Sequence, residues 1–268
     1  MSGVASGFMR GFMRGARVLG VGWILQLKIL AVSAFDGILN IIYPLFFATT
    51  ALLMFRQSGD PQALVYAGLG AAVMGTWSAM ATSASGALQG QRWQGTLELL
   101  VTAPTRVALA VLPITAALAT VALYSLVATL IWGRVLFGIE VHIASPLAFA
   151  VALLVTLASL ATFGFLLSVT VVRYRTGWAL GNLLEYPGWL LCGFLVPLDL
   201  FPEWVRVIAR ALPPTWGMDA IRAAAAGLDP WFDIAVCAGL GVGYAALGAF
   251  LSERLIDSAR RHATLALT

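Results

Sequence analysis

The chain has 268 residues, of which 60% are hydrophobic and only 10% charged, and its mean hydropathy is +0.91. Soluble domains carry about 25% charged residues, so the composition excludes a soluble protein and predicts an all-α integral membrane protein. At about 20 apolar residues for each membrane-spanning helix, the length allows six spans in a single transmembrane domain over residues 1–268.

The N-terminal segment, residues 8–34, predicts an amphipathic helix that lies in the membrane interface. At about 100° per residue, apolar side chains share one face and basic side chains the opposite face. The apolar face comprises Phe8, Phe12, Ala16, Leu19, Trp23 and Leu27, and the basic face Arg10, Arg14, Arg17 and Lys28. This pattern is typical of an interfacial helix. The alternative is a disordered basic tail, which the regularity of the two faces disfavours.

Six apolar segments predict six transmembrane helices. Their approximate ranges are 37–55, 63–88, 107–137, 146–172, 178–197 and 231–256. The second segment is rich in small residues, which let helices approach closely, so we expect it to pack inside the protein. Pro44 predicts a kink in the first span. Gly239 and Gly243 form a Gly-x-x-x-Gly motif in the last span, a weak sign of close helix packing.

A polar stretch, residues 90–104, separates the second and third spans. It places Arg92 and Glu98 between two long apolar segments, and Gly95 and Pro104 are expected to bound a short helix there. Such a helix outside the membrane would offer its charges to a partner protein. The alternative is a solvated loop without a partner.

The region 199–230 is the longest one that is not a simple span. It contains two helical patterns that are interrupted by prolines, each with about 10 residues, too short to cross a membrane. The pattern predicts a re-entrant or interfacial helical hairpin before the last span. Its candidate site residues are Pro202, Trp204, Asp219 and Arg222.

The distribution of basic residues predicts the orientation in the membrane. Eleven of the 16 Lys and Arg residues fall on the side that holds both termini and the 90–104 stretch. Cytoplasmic loops carry an excess of Lys and Arg, so this side is expected to be the cytoplasm and the hairpin is expected to face outward. Anchoring also explains the pI near 9.4 without any nucleic-acid partner.

Few residues in the sequence could perform catalysis. His142 and His262 are predicted to lie on opposite sides of the membrane, which disfavours a histidine-based metal site or catalytic pair. The single lysine, Lys28, does not follow the glycine pattern of a phosphate loop. Cys192 and Cys237 lie in apolar runs and are expected to be buried thiols. We therefore expect no enzyme and no cofactor on this chain, although a lipid-handling membrane enzyme remains the alternative.

Glu185 is the clearest acidic residue inside a predicted span. An unpaired carboxylate in a membrane costs roughly 3 kcal/mol on insertion scales, so Glu185 should be protonated, hydrogen-bonded, close to the helix end or in a wet cavity. Three roles stay open: helix packing, a translocation pathway together with Asn40 and Tyr186, and proton coupling. One acidic residue without partners disfavours an ion-gradient-coupled transporter.

Two regions resemble the type-2 ABC exporter permeases, which include the membrane subunits of antibiotic, polysaccharide and nodulation-factor exporters. Residues 92–100, Arg-x-x-Gly-Thr-Leu-Glu-Leu-Leu, then Ala-Pro, resemble the cytoplasmic loop of that family. Its C-terminal signature resembles Gly193 to Pro202, Trp204, Leu212 to Pro214 and Asp219 to Arg222, and its entry to the first span resembles Asn40 to Pro44. Glu185 departs from the small or apolar residue that family members often have there.

The resemblance implies a permease subunit that exports an amphiphilic drug-like molecule, a lipid or a glycan by alternating access. It implies assembly with a second copy of the chain and with two ATP-hydrolysing subunits, which bind ATP and Mg. The family's coupling helix would correspond to Arg92, Gly95, Thr96, Leu97, Glu98 and Leu100. The expected location is the plasma (inner) membrane of a bacterium, among membrane lipids, with both termini in the cytoplasm.

Overall fold

The computed structural model describes residues 2–32, 34–57, 59–84, 86–93, 95, 107–139, 142–171 and 177–262. Within these ranges the regular structure is helical and contains no strand. The all-α prediction is therefore confirmed for the part of the chain that the structure describes.

The described helices follow one another with short connections. The α-helices are α1 (Ser2–Val32), α2 (Ala34–Arg56), α3 (Pro61–Ala79), α4 (Ala87–Trp93), α5 (Val107–Phe137), α6 (Pro146–Val171), α7 (Gly177–Leu191), α8 (Glu203–Arg210), α9 (Pro213–Ala226) and α10 (Trp231–His262). A π-helical turn, Met80–Ala84, continues α3, and a 3-10 turn, Leu198–Leu200, precedes α8.

Four helical segments among the described residues are long and apolar enough to cross a membrane. They are Gln62–Ala84, Ala108–Phe137, Pro146–Thr170 and Trp231–Arg254, which correspond to the second, third, fourth and sixth predicted spans. In α2 the apolar segment Pro44–Arg56 is shorter, and α7 has 15 residues. The chain is thus a multi-pass membrane protein, while the first and fifth spans stay predictions.

Several helix ends differ from the predicted ones. The predicted fifth span, 178–197, is helical only to Leu191, because Gly193 adopts a positive φ of +69° that an α-helix cannot contain. The predicted second span, 63–88, is not one α-helix, since it changes to π geometry at Met80 and α4 begins afresh at Ala87.

The two terminal helices are longer than predicted. The N-terminal helix, predicted over 8–34, begins at Ser2 and ends at Val32, and the last helix reaches His262 instead of residue 256. Both extensions contain no proline, so nothing in the sequence stops the helix at the predicted ends.

Helix α3 occupies the interior of the protein, as its small residues predict. Every residue from Ala67 to Trp77 is buried. A Cβ placed at Gly75 would lie 3.0 Å from the Cβ of Pro44, and one placed at Gly70 would overlap the carbonyl oxygen of Phe194. The neighbouring elements therefore approach α3 at distances that only glycine allows.

The second half of α1 packs against α5. The indole Nε1 of Trp23 donates a hydrogen bond to Thr120 Oγ1 at 3.0 Å, and a Cβ placed at Gly22 would lie 3.0 Å from the Cβ of Pro113. The outer side of this half remains exposed at Val21, Ile24, Leu25 and Ile29. One side of α1 is thus held by a predicted span, and its position in the membrane interface stays a prediction.

Helix α10 packs against α6 through glycines other than the predicted pair. A Cβ placed at Gly241 would lie 2.6 Å from Ser159 Oγ, and one placed at Gly248 would lie 2.6 Å from the Phe165 ring. Nothing described lies within 4 Å of a Cβ placed at Gly239 or Gly243. Within this chain the Gly-x-x-x-Gly prediction is therefore wrong, because the motif faces outward.

Candidate functional site

The predicted ATPase-coupling residues are only partly described. Arg92 lies in the last turn of α4, and Gly95 is exposed with a φ of +70°. A positive φ is readily adopted only by glycine, so Gly95 marks the end of this helix, as expected. Thr96, Leu97, Glu98 and Leu100 lie outside the described residues, and the coupling helix stays a prediction.

Glu185 joins α7 to α3 through hydrogen bonds. Its side chain is hydrogen-bonded to Ser78, and its backbone carbonyl accepts a bond from Trp77 Nε1 at 3.1 Å. Only 9% of Glu185 is exposed. The expectation that this residue is hydrogen-bonded to a neighbouring span is confirmed.

Trp189 completes this polar contact one turn further along α7. Its Nε1 donates to Ser78 Oγ at 3.0 Å, so the Ser78 hydroxyl joins an indole to a carboxyl group. Close approach of α3 to α7 depends on Gly188, since a Cβ placed there would overlap the indole of Trp77.

Aromatic rings surround Trp189 on the side of α2 and α7. The Trp189 ring centroid lies 4.8 Å from that of Phe47 and 5.0 Å from that of Tyr186, both in edge-to-face geometry. We call Ser78, Glu185, Trp189, Tyr186 and Phe47 the Glu185 cluster. Among the described residues, no basic side chain contributes to the electrostatic environment of Glu185.

The structure brings together part of the predicted translocation set. Glu185 and Tyr186 lie in the Glu185 cluster, whereas the side chain of Asn40 falls outside the described residues. Ser78, Trp189 and Phe47 were not predicted. Trp189 follows Glu185 by four residues, a spacing that places both on one side of a helix, and this was the available signal.

Arg222 holds the turn after α7 against α3. Its Nη1 and Nη2 donate to the carbonyl oxygens of Gly193 and Phe194, each at 2.7 Å. The guanidinium carbon lies 3.4 Å from the centroid of the Tyr66 ring, and Tyr66 donates its hydroxyl proton to the Gly193 carbonyl at 3.2 Å. We call Arg222, Tyr66, Gly193 and Phe194 the Arg222 clamp.

The charge of Arg222 persists at neutral pH although its surroundings disfavour it. Burial lowers the pKa of Arg222 to about 10, and the neighbouring Tyr66 and Asp219 act in the opposite direction. Because this pKa stays well above 7, the guanidinium remains a cation. The carbonyl bonds of the clamp are therefore charge-assisted, which makes them stronger than neutral bonds.

The predicted external hairpin corresponds to α8 and α9. Pro202 immediately precedes α8, and Trp204 is exposed in its first turn. Asp219 is exposed on α9. Tyr244 of α10 donates to the Ala211 carbonyl between the two helices at 2.6 Å. Two short helices are thus confirmed, while their re-entrant position stays a prediction.

Both cysteines are free, as expected. Cys192 and Cys237 are buried thiols in the structure. Among the described residues, no group of three or more His, Cys, Asp or Glu side chains is placed to hold a metal ion.

A comparison with known families identifies the class of protein. Residues 22–225 match the family model described as ABC-2 type transporter, a range that includes both the Glu185 cluster and the Arg222 clamp. No curated protein shows a significant match to the chain. Because the family match covers more than half of the sequence, the chain belongs to the ABC-2 type transporter family and is a membrane permease subunit of an ABC transporter.

Proposed function

We propose that the chain is the permease of an ATP-driven exporter that moves an amphiphilic drug-like molecule, a lipid or a glycan out of the cytoplasm. The observation that carries the proposal is the ABC-2 match over residues 22–225. The notebook of motifs in the sequence adds the direction, since the 90–104 stretch and the C-terminal signature resemble those of exporters. Energy would come from ATP and Mg bound by a separate subunit.

The working assembly would contain two copies of this chain and two ATPase subunits. Helices α2 and α7 support a lateral contact, because both expose large apolar side chains that no described part of the chain covers. These side chains are Ile42, Phe46, Leu53 and Met54 on α2, and Leu183, Tyr186 and Leu190 on α7. A second copy and membrane lipids would share these surfaces in the plasma (inner) membrane of a bacterium, with both termini cytoplasmic.

Helix α3 offers a route by which the ATPase could act on the opposite side of the membrane. One end of the helix carries Tyr66 of the Arg222 clamp, and the other continues through the π turn toward α4 and the 90–104 stretch. At about 1.5 Å per residue, a helical segment from Tyr66 to Ala84 is about 27 Å long, close to the thickness of the hydrocarbon core. Movement of the stretch would thus be transmitted by a rigid element to the clamp.

The test of this function is Glu98→Ala, with Glu203→Ala in the exposed first turn of α8 as the matched control. Glu98→Ala should leave membrane insertion intact. It should weaken binding of the ATPase by about tenfold or more, or uncouple hydrolysis from export, because truncating one member of an interfacial charge pair costs about 2–5 kcal/mol. Insertion, ATPase co-purification and substrate-stimulated hydrolysis are measured on one preparation.

The result that contradicts the coupling role is a Glu98→Ala protein equal to the Glu203→Ala control in all three measurements and in export. A wild-type chain that is stable and active without any ATP-hydrolysing partner would contradict the exporter proposal as a whole.

A further inference from the structure

The Glu185 cluster combines a carboxyl group with three aromatic rings inside an apolar protein. The carboxyl group and the Trp189 indole share the Ser78 hydroxyl, which fixes the carboxyl group beside the indole. Phe47 and Tyr186 lie against the same indole at centroid distances of 4.8 and 5.0 Å. An acid and three rings are therefore held together by contacts from three helices.

A hydroxyl group is a modest partner for a carboxylate in a membrane. A hydroxyl donates one hydrogen bond, whereas an ionised carboxylate has two oxygen atoms that accept several. The described neighbours of Glu185 supply no positive charge. Charged groups in a low-dielectric region are usually paired with an opposite charge, so a bound cation would supply what the described part of the chain does not.

The aromatic rings favour a cation of a particular kind. The face of an aromatic ring attracts a positive charge, most strongly when the charge is poorly hydrated, as in quaternary ammonium groups. A metal ion would require additional oxygen, nitrogen or sulfur ligands, and no three such candidate side chains meet among the described residues. The chemistry of the cluster thus fits an organic cation with an apolar body.

The cluster can be reached from the side of the protein. Tyr186 is 59% exposed, and Phe46, whose ring lies 5.9 Å from that of Phe47, is 68% exposed. A molecule dissolved in the bilayer, or held between two copies of the chain, could therefore contact the rings before its charge reaches Glu185.

We propose that the Glu185 cluster binds the charged group of a lipophilic organic cation and that such cations are the exported substrates. The second half of this statement rests on the exporter function proposed above, whereas the first half concerns binding alone. Glu185 pairs with the positive charge, the rings of Trp189, Tyr186 and Phe47 surround its apolar substituents, and Ser78 positions the carboxyl group.

The test measures binding of two probes of equal shape and opposite charge, tetraphenylphosphonium and tetraphenylborate, to the full chain in lipid nanodiscs, corrected with empty nanodiscs. Glu185→Gln should weaken saturable tetraphenylphosphonium binding by about tenfold, as expected for the loss of a charge pair. Tetraphenylborate retention should not fall. Glu203→Gln, which removes a carboxylate from the exposed first turn of α8, serves as the control.

A second pair of variants separates binding from folding. Glu185→Asp keeps the charge and should retain most of the tetraphenylphosphonium binding, while Trp189→Leu keeps the carboxyl group and should weaken it. Equal loss of both probes in Glu185→Gln, or wild-type cation binding in that variant, overturns the proposal. Since these measurements need no ATPase, absence of cation binding leaves the exporter proposal intact, and cation binding by a chain that never associates with an ATPase refutes the exporter alone.

Discussion

Glycine residues decide how closely the helices of this protein approach one another. A Cβ placed at Gly188 would overlap the Trp77 indole, and one placed at Gly217 would overlap Thr156. At Gly239 the same Cβ would meet nothing within 4 Å among the described atoms. Identical substitutions at Gly188 and Gly239 should therefore have opposite effects.

Gly188→Ala should lower the thermal stability of the purified chain, since inserting an atom into a packed contact typically costs about 1–3 kcal/mol. Gly239→Ala, the matched control, should leave stability equal or slightly higher, because alanine favours a helix over glycine by about 1 kcal/mol. Thermal unfolding in detergent measures both. Equal melting temperatures for the two variants would mean that α7 does not rest on Trp77.

At the scale of elements, the Arg222 clamp joins α9, the turn after α7, and α3. Two adjacent backbone carbonyls accept from one guanidinium group, a geometry that the single ammonium group of lysine cannot reproduce. Cys192 precedes Gly193 in this turn and is buried, so its thiol reports whether the turn stays closed.

Arg222→Ala should expose the turn, since it leaves two buried carbonyl groups without their donor, at about 1–3 kcal/mol for each. We expect the alkylation rate of Cys192 to rise at least about tenfold, while that of Cys237 changes little. Arg222→Lys should fall between wild type and Arg222→Ala. Arg210→Ala, which removes a guanidinium stacked on Trp216 at 5.5 Å, is the control. Unchanged Cys192 labelling in Arg222→Ala would show that other contacts hold the turn.

The sequence predicted elements where local signals bound them. The helix Val107–Phe137 has the predicted limits, because Gly138 takes a φ of +66° just after it. Local signals say nothing about partners distant in the chain. Arg222 was chosen from a motif, but its acceptors are backbone carbonyls, which every residue type carries. Ser78 likewise looks like any small residue of a packed span.

At the scale of the whole molecule, the outward face of α10 is the surface on which an assembly prediction can be tested. Gly239 and Gly243 lie on this face without intrachain contacts, whereas Gly241 packs against Ser159. The motif therefore serves contacts outside the chain, either with lipid or with another copy.

The chain should purify as a pair, and Gly239→Leu with Gly243→Leu should shift it toward the monomer without lowering its melting temperature. Bulky side chains would separate helices that approach at glycines. Gly241→Leu is the contrasting variant, since its side chain would collide with Ser159 and destabilise the fold itself. Cross-linking in native membranes gives the oligomeric state. A dimer that tolerates the double substitution would place the interface elsewhere, for instance on α2 and α7.

The π turn Met80–Ala84 sets the direction in which the chain leaves the membrane. A π turn contains one residue more than the α-helix that it interrupts, and each residue of an α-helix turns the axis by about 100°. Deleting a single residue within the turn would let α3 run on as an ordinary helix and rotate α4 by that angle. Every side chain beyond would be unchanged in identity, yet the 90–104 stretch would point away from its partner. Here one residue of chain length, independent of its chemistry, encodes a bearing.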